Sequence, residues 1–176
     1  VVVLAVHWSH DYAEHPTGLQ RRRARRWVDL GVDLVVGSGP HVLHPVERIA
    51  SARGEAVIAY SLGNLISNQG QRYRPGVRMS PAAHPAVRLP ETRDGVFLAT
   101  TFARREGALR VERLEGLPVW TENDFWAWHA QPSGGHDIRV VPLSEAAPAV
   151  RAERLPAIAR ALGPNVRLRM PEHEGS

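Results

Sequence analysis

The chain has 176 residues, about one domain in length, with 43% hydrophobic and 23% charged residues. That composition excludes a disordered chain, and no apolar run approaches the ~20 residues of a membrane helix. The absence of cysteine excludes disulfides, thiolate catalysis and Cys-ligated zinc; all 22 basic residues are arginine, which excludes Schiff-base and P-loop lysines, and a net charge of +4 is only a modest basic excess.

Val1-Val2-Val3-Leu4-Ala5-Val6 is a continuous apolar run, the pattern of a strand buried on both faces. With no methionine before it, it predicts that a further segment precedes Val1, and any targeting signal with it. The polar, aromatic loop His7-Trp8-Ser9-His10-Asp11-Tyr12 follows. Thr17 and Gln20 have capping-box spacing and open a predicted helix over 18–30, with Leu19, Ala24, Trp27 and Val28 inward and Gly31 at its end. Asp33-Leu34-Val35-Val36 is a second buried strand, closed by the loop Gly37-Ser38-Gly39-Pro40-His41. Strand, helix and strand together predict a parallel pair joined by a crossover helix.

Residues 43–49 and 55–61 read as two strands around Ser51-Ala52-Arg53-Gly54. Residues 68–93 carry four prolines and no periodicity, so a long loop is expected. A hairpin over 95–103 and 108–114 turns at Arg105-Glu106-Gly107. An aromatic segment with Trp120, Phe125, Trp126 and Trp128 reads as a hydrophobic flap over the sheet in preference to a sugar-stacking loop. Ile138–Val141 is a further strand. Ser144 to Leu162 is Ala-rich and helical, with interruptions expected at Pro148 and Pro156, and the last dozen residues read as a frayed tail.

Two imidazoles stand where parallel strands end. His7 follows the first strand and His41 sits in the loop after the second, the edge at which open α/β sheets bind ligands. They can share a metal, or each can be a hydrogen-bonded loop residue; on the residues alone the two readings weigh about equally. Ser9-His10-Asp11 has the residue types of a catalytic triad, but consecutive side chains diverge and cannot form the relay. The run Arg21-Arg22-Arg23-Ala24-Arg25-Arg26 lies in a capped helix as a solvated face, and no nucleic-acid partner is expected.

The ordered motifs His7-Trp8-x-x-Asp11-Tyr12, Gly37-Ser38-Gly39-Pro40-His41-Val42, Glu47 and Tyr60-Ser61-Leu62-Gly63-Asn64-Leu65 resemble the bacterial capsule-synthesis proteins of the CapA type, the poly-γ-glutamate family. Asp94-Gly95 and Pro118-Val119-Trp120 resemble its later segment more loosely. That family is similar to the calcineurin-like metallophosphoesterases. The resemblance therefore implies an α/β fold with a mixed sheet, the C-terminal half of a four-layer metallophosphoesterase-like domain. It implies a division into 1–143, within that domain, and 144–176, a helical segment and tail. It implies metal-dependent hydrolysis of a phosphoester or related bond, or alternatively a non-catalytic envelope protein handling an anionic polymer.

The residue roles implied by the resemblance are specific. His7 and His41 match metal ligands for Mn, Fe or Zn, in a one-metal or two-metal form. Glu47 and Asp11 match acidic positions of the catalytic machinery: Glu47 can serve acid–base chemistry or bind a substrate amine, or equally be the partner of an arginine, while Asp11 can orient His7 or His10 but reads slightly better as a surface carboxylate. Trp8, Ser61 and Asn64 match substrate-binding positions; equally, Gly63 and Asn64 can serve only to shape a turn. The usual Gly-x-His-Pro-His-Val carries Gly39 in place of its first histidine, so one ligand position is lost. The carboxylate ligands and the partner N-terminal half of the domain are expected before Val1. The family points to the cell envelope, with membrane association left open.

Overall fold

The structure, a computed structural model, describes residues 1–132 and 134–170, without the side chain of Trp126. It is α/β: one mixed sheet of eight strands among the described residues, with helices on both faces. The first unit is strand β1 (Val3–His7), helix α1 (Gly18–Asp29) and strand β2 (Leu34–Ser38), with β1 and β2 parallel and His7 level with Ser38. Thr17 and Gln20 form the expected capping box, each side chain meeting the other's backbone N–H. Such a cap is worth about 1 kcal/mol and fixes where the helix begins.

A hairpin, β3 (Val46–Ser51) and β4 (Gly54–Ala59), places β4 parallel to β2. Strand β4 is buried on both sides. Ala56, Ile58 and Tyr60 pack with Ala24 and Val28 of α1, while Val57 and Ala59 join the larger core on the opposite face. Residues 68–93 form the expected loop, interrupted by one helical turn, α2 (Pro85–Arg88), and a 3₁₀ turn over Pro90–Arg93. Strands β5 (Asp94–Arg105) and β6 (Ala108–Asn123) form a hairpin longer than expected, turning at Glu106 and Gly107. Helix α3 (Phe125–Ala130) links β6 to its antiparallel neighbour β7 (Ile138–Pro142).

Several expectations are corrected. Strand β1 is the edge of the sheet, with Val1, Val2 and Val3 exposed; an apolar run does not say which strand has a neighbour on both sides. In α1, Leu19 faces solvent and Gln20 is buried in its place, because the capping box turns Gln20 inward. Helix α4 (Pro148–Leu162) is not interrupted by its prolines. Pro148 sits in the first turn, where its missing N–H costs nothing, and Pro156 lies on the exposed face, where the unpaired carbonyl meets water. Val150, Arg154, Ile158 and Leu162, spaced by four, face the larger core. Residues 165–170 are not a tail: Val166 enters that core and β8 (Arg167–Leu168) pairs with β6. Residues 171–176 lie outside the described residues.

Candidate functional site

Strands β1, β2 and β4 run parallel, so the loops at their carboxyl ends meet on one edge of the sheet. His7 ends β1, His41 lies in the loop after β2, and Asn64 follows β4. The loops are stitched together. Trp8 N donates to Ser38 O (2.8 Å), Tyr12 N to Pro40 O (2.8 Å) and Leu62 N to Gly37 O (3.3 Å). His10, Tyr12 and His41 all have left-handed backbones, with φ of 76°, 61° and 64°. Non-glycine residues adopt this conformation at a cost, and it gathers where side chains must be aimed for function.

Asn64 and Tyr12 hold the His41 ring, and Thr92 and Gln69 hold Asn64 in turn. Asn64 Nδ2 donates to Thr92 O (2.9 Å) and to Gln69 Oε1 (3.2 Å), which fixes the amide orientation and turns Oδ1 towards His41 Nδ1 at 3.0 Å. An amide oxygen only accepts, so Nδ1 carries the ring hydrogen, and in the neutral tautomer the lone pair is on Nε2. This is the arrangement by which a histidine is set up as a metal ligand or a base. The Tyr12 ring stacks on His41 with centroids 5.7 Å apart, and its hydroxyl accepts from Gln69 Nε2 at 3.2 Å. His84, capping α2, meets the edge of the same tyrosine. Burial, and then the charge of Asp11, raises the Tyr12 phenol above its ordinary range.

Beside this cluster a cleft of about 660 Å³ runs between Tyr12, Val42 and helix α4. Its floor holds a buried ion pair: Arg154 donates to Asp94 from Nη2 (2.7 Å) and Nε (3.3 Å), and Nη2 also reaches Glu91. Burial pushes the Asp94 carboxyl up to about 7 although Arg154 pulls it down. Burial alone would lower Arg154, but the hydrogen bonds and charge of Asp94 outweigh it and raise it. Arg88 and Arg160 line the cleft without an ion-pair partner among the described residues.

Not all of the other sequence-predicted residues join this cluster. Glu47 faces α1, not His41, because Val46 before it points into the opposite core. It is bound to Arg21 (2.5 Å), lies 3.6 Å from Arg25, and accepts from the Tyr60 hydroxyl (3.3 Å). Burial, and then the Glu47 charge, pushes that phenol up to about 12. Trp8 is buried and stacked on Trp27 at 5.4 Å. Ser61 is fully buried and accepts from Gly63 N. Asp11 is exposed, and His7 is exposed with Nδ1 3.4 Å from Ser38 Oγ. Thus His7, His41 and Asn64 share the edge, whereas Trp8, Glu47 and Ser61 are built into the fold.

The donor set bears directly on a metal. Among the described residues no three His, Asp or Glu side chains converge to hold one. Gly39, where the family pattern has a histidine, has φ +112°, and a Cβ there would sit 2.2 Å from Trp8 O. The loop is shaped around the missing side chain. Two imidazoles without that histidine or a carboxylate do not fit a two-metal centre by themselves.

Sequence reasoning missed Gln69, Thr92, His84 and the buried His44. His44 lies at 2.7 Å from Ala13 O and ties the β1 loop to the segment before β3; burial lowers its pKa. Tyr12 stood in a recognised motif, but Gln69 and Thr92 lie in an aperiodic loop that carries no signal of its partner.

Residues 1–69 match the family model described as bacterial capsule synthesis protein PGA_cap. Over 70 residues the chain is 43% identical to the PGA biosynthesis protein CapA of Bacillus subtilis strain 168, and 37% identical to the capsule biosynthesis protein CapA of Bacillus anthracis. Each alignment covers 40% of this chain but only 17% and 16% of those proteins, so the chain spans about a sixth of the length of the curated relatives it matches. The matched stretch is the segment that brings His7, His41 and Asn64 to one edge.

Proposed function

We propose that this chain, a member of the CapA family of capsule-synthesis proteins, works in poly-γ-glutamate or related capsule biosynthesis at the envelope, with His41 at the centre of its working edge. The observation that carries this reading is the Asn64–His41 hydrogen bond. It leaves Nε2 without a hydrogen-bond partner among the described residues, next to the stacked Tyr12 ring, and so available to ligate a divalent Mn, Fe or Zn ion. The finer reading is metal-assisted hydrolysis of a phosphoester or related bond in the full-length protein. His7 and His41 would be nitrogen ligands there, and the oxygen ligands would come from the part of the relatives' length that this chain does not span. A bound metal would supply a water of lowered pKa. This chain's own residues hold the imidazole tautomer, stack Tyr12 against it and shape the cleft.

The geometry of Gly39 favours a second reading, a non-catalytic protein that handles an anionic polymer at a degenerate site. One experiment separates the two. The full-length protein is assayed for bound metal and for turnover of generic phosphoesters, with His41→Ala beside it. Stoichiometric metal and a turnover lost at least tenfold in His41→Ala support hydrolysis. Metal-free protein, inactive on phosphoesters but binding poly-γ-glutamate, supports the second. Metal content, turnover and polymer binding all untouched by His41→Ala would overturn the role given to this edge.

A further inference from the structure

A second cleft, of about 330 Å³, opens where β6 meets α3 and β7, remote in sequence from the matched segment. Arg93 forms part of its wall and is only 6% exposed. Its Nη2 donates to Asn123 O at 3.0 Å, its Nε is buried without an acceptor, and its guanidinium lies over the Trp120 ring at 5.5 Å. The charge of Glu122, in the wall of the same cleft, acts on it, but no carboxylate among the described residues comes within ion-pair distance. Burial lowers it to about 10, so it stays protonated at neutral pH. A buried cation without a counter-charge is expensive unless something else supplies the anion.

The rim has a different chemistry. Asp124 and Asp137 stand side by side, Asp124 Oδ1 accepting from Asp137 N at 2.6 Å, and Glu122 is held by Arg139 at 2.7 Å. These are planar groups whose remaining oxygens face water. Immediately beyond Asp124 lies the aromatic flap. Phe125 and Trp128 pack on each other at 6.0 Å and on His136 at 5.3 Å, and neither belongs to a hydrophobic core. The expectation that this segment covers the sheet is therefore corrected for Phe125 and Trp128. Trp120 alone is core, and Trp126's side chain lies outside the described ones.

An anion-seeking guanidinium, planar oxygen acceptors and the partly exposed rings of Phe125 and Trp128, which follow Asp124 in the chain, call for three features in one ligand: a carboxylate, several hydroxyls and an apolar ring face. We infer that this cleft and flap bind an acidic saccharide. Its carboxylate meets Arg93, its hydroxyls donate to Asp124 and Asp137, and a ring face lies against Phe125 or Trp128. The site is independent of the His41 edge, so either can fail without the other.

The test is titration of the full-length protein with tetragalacturonate, followed by tryptophan fluorescence and calorimetry. Neutral maltotetraose and sodium acetate are the controls. The expected result is saturable binding of tetragalacturonate, at least tenfold tighter than maltotetraose and absent for acetate. Arg93→Met and Trp128→Ala should each weaken it at least fivefold. Should Arg93→Met fail to fold, the flap variants Trp128→Ala and Phe125→Ala, at two partly exposed rings, decide. No saturable binding, equal binding of the neutral sugar, acetate binding as well as the saccharide, or flap variants that bind like the parent would each overturn the inference.

Discussion

Arg93 and Asp94 are consecutive residues whose side chains enter two different clefts and meet opposite fates. Asp94 is buried against Arg154 through two hydrogen bonds, with Glu91 alongside, and ties β5 to α4. Arg93 is buried against an aromatic ring and one carbonyl, with no carboxylate in reach among the described residues. The first arrangement is a completed pair that the fold depends on. The second is a charge that the fold tolerates without using. The contrast separates structural from functional charge more sharply than burial alone, since both side chains are more than nine-tenths buried.

The largest effect expected from this comparison is at Arg154. Arg154→Ala leaves Asp94 buried and unpaired, and should cost about 3–5 kcal/mol at pH 8. The pH dependence follows from the raised Asp94 carboxyl. Between its ordinary 3.8 and about 7 the folded state holds a proton that the unfolded state has released. The parent's stability should therefore fall as pH rises through that window and level off above it. Arg154→Ala raises the folded pKa further, so its deficit should shrink at pH 5 and grow towards pH 8. Urea denaturation at both pH values checks this. A deficit independent of pH would show that Asp94 is not the group left stranded.

Next in size is Gly39, which tests the rigid edge on the other side of the first cleft. Gly39→Ala places a Cβ 2.2 Å from a backbone oxygen at φ +112° and should cost about 2–4 kcal/mol, read by thermal or urea unfolding. A neutral outcome would mean that the loop can open, and that a histidine could return there without rebuilding the site.

The same position shows what the sequence could and could not tell. The β1–α1–β2 unit, the capping box and the shared edge of His7 and His41 were legible, because apolar runs, caps and parallel topology are local rules with few solutions. The motif order also flagged Asn64 correctly as a residue of this edge. It could not say that Glu47, Trp8 and Ser61 turn away. Motif spacing carries no information on which face a strand residue takes until the register is known, and Val46 in the core sends Glu47 to the arginines of α1. The flap misled for a related reason. Four aromatics in nine residues announce apolar surface, but what that surface meets is a tertiary fact. The loop supplying Gln69 and Thr92 was silent because one hydrogen bond to a distant asparagine leaves no pattern.

The smallest expected effect is the most discriminating for the comparison. Arg93→Met keeps the aliphatic stem packed over Gly70 and removes only the charge and its fork. Three contributions change. The contact with the Trp120 ring is worth about 0.5–2 kcal/mol, and the bond to Asn123 O about 1.5–3 kcal/mol. Against these stands the cost of burying a guanidinium with no carboxylate beside it, several kcal/mol for an ion in a protein interior. The opposing contributions are of similar size, so the net change in stability should lie within about 1 kcal/mol of zero, and replacement by an apolar side chain can even stabilise. Side-by-side urea unfolding of Arg93→Met and Arg154→Ala measures the difference directly. If Arg93→Met costs as much as Arg154→Ala, then Arg93 is a structural charge like its neighbour, and its lack of a carboxylate says nothing about a ligand. If it is near neutral, the fold keeps a buried cation from which it gains no stability, and the reason for keeping it must lie in what the second cleft binds.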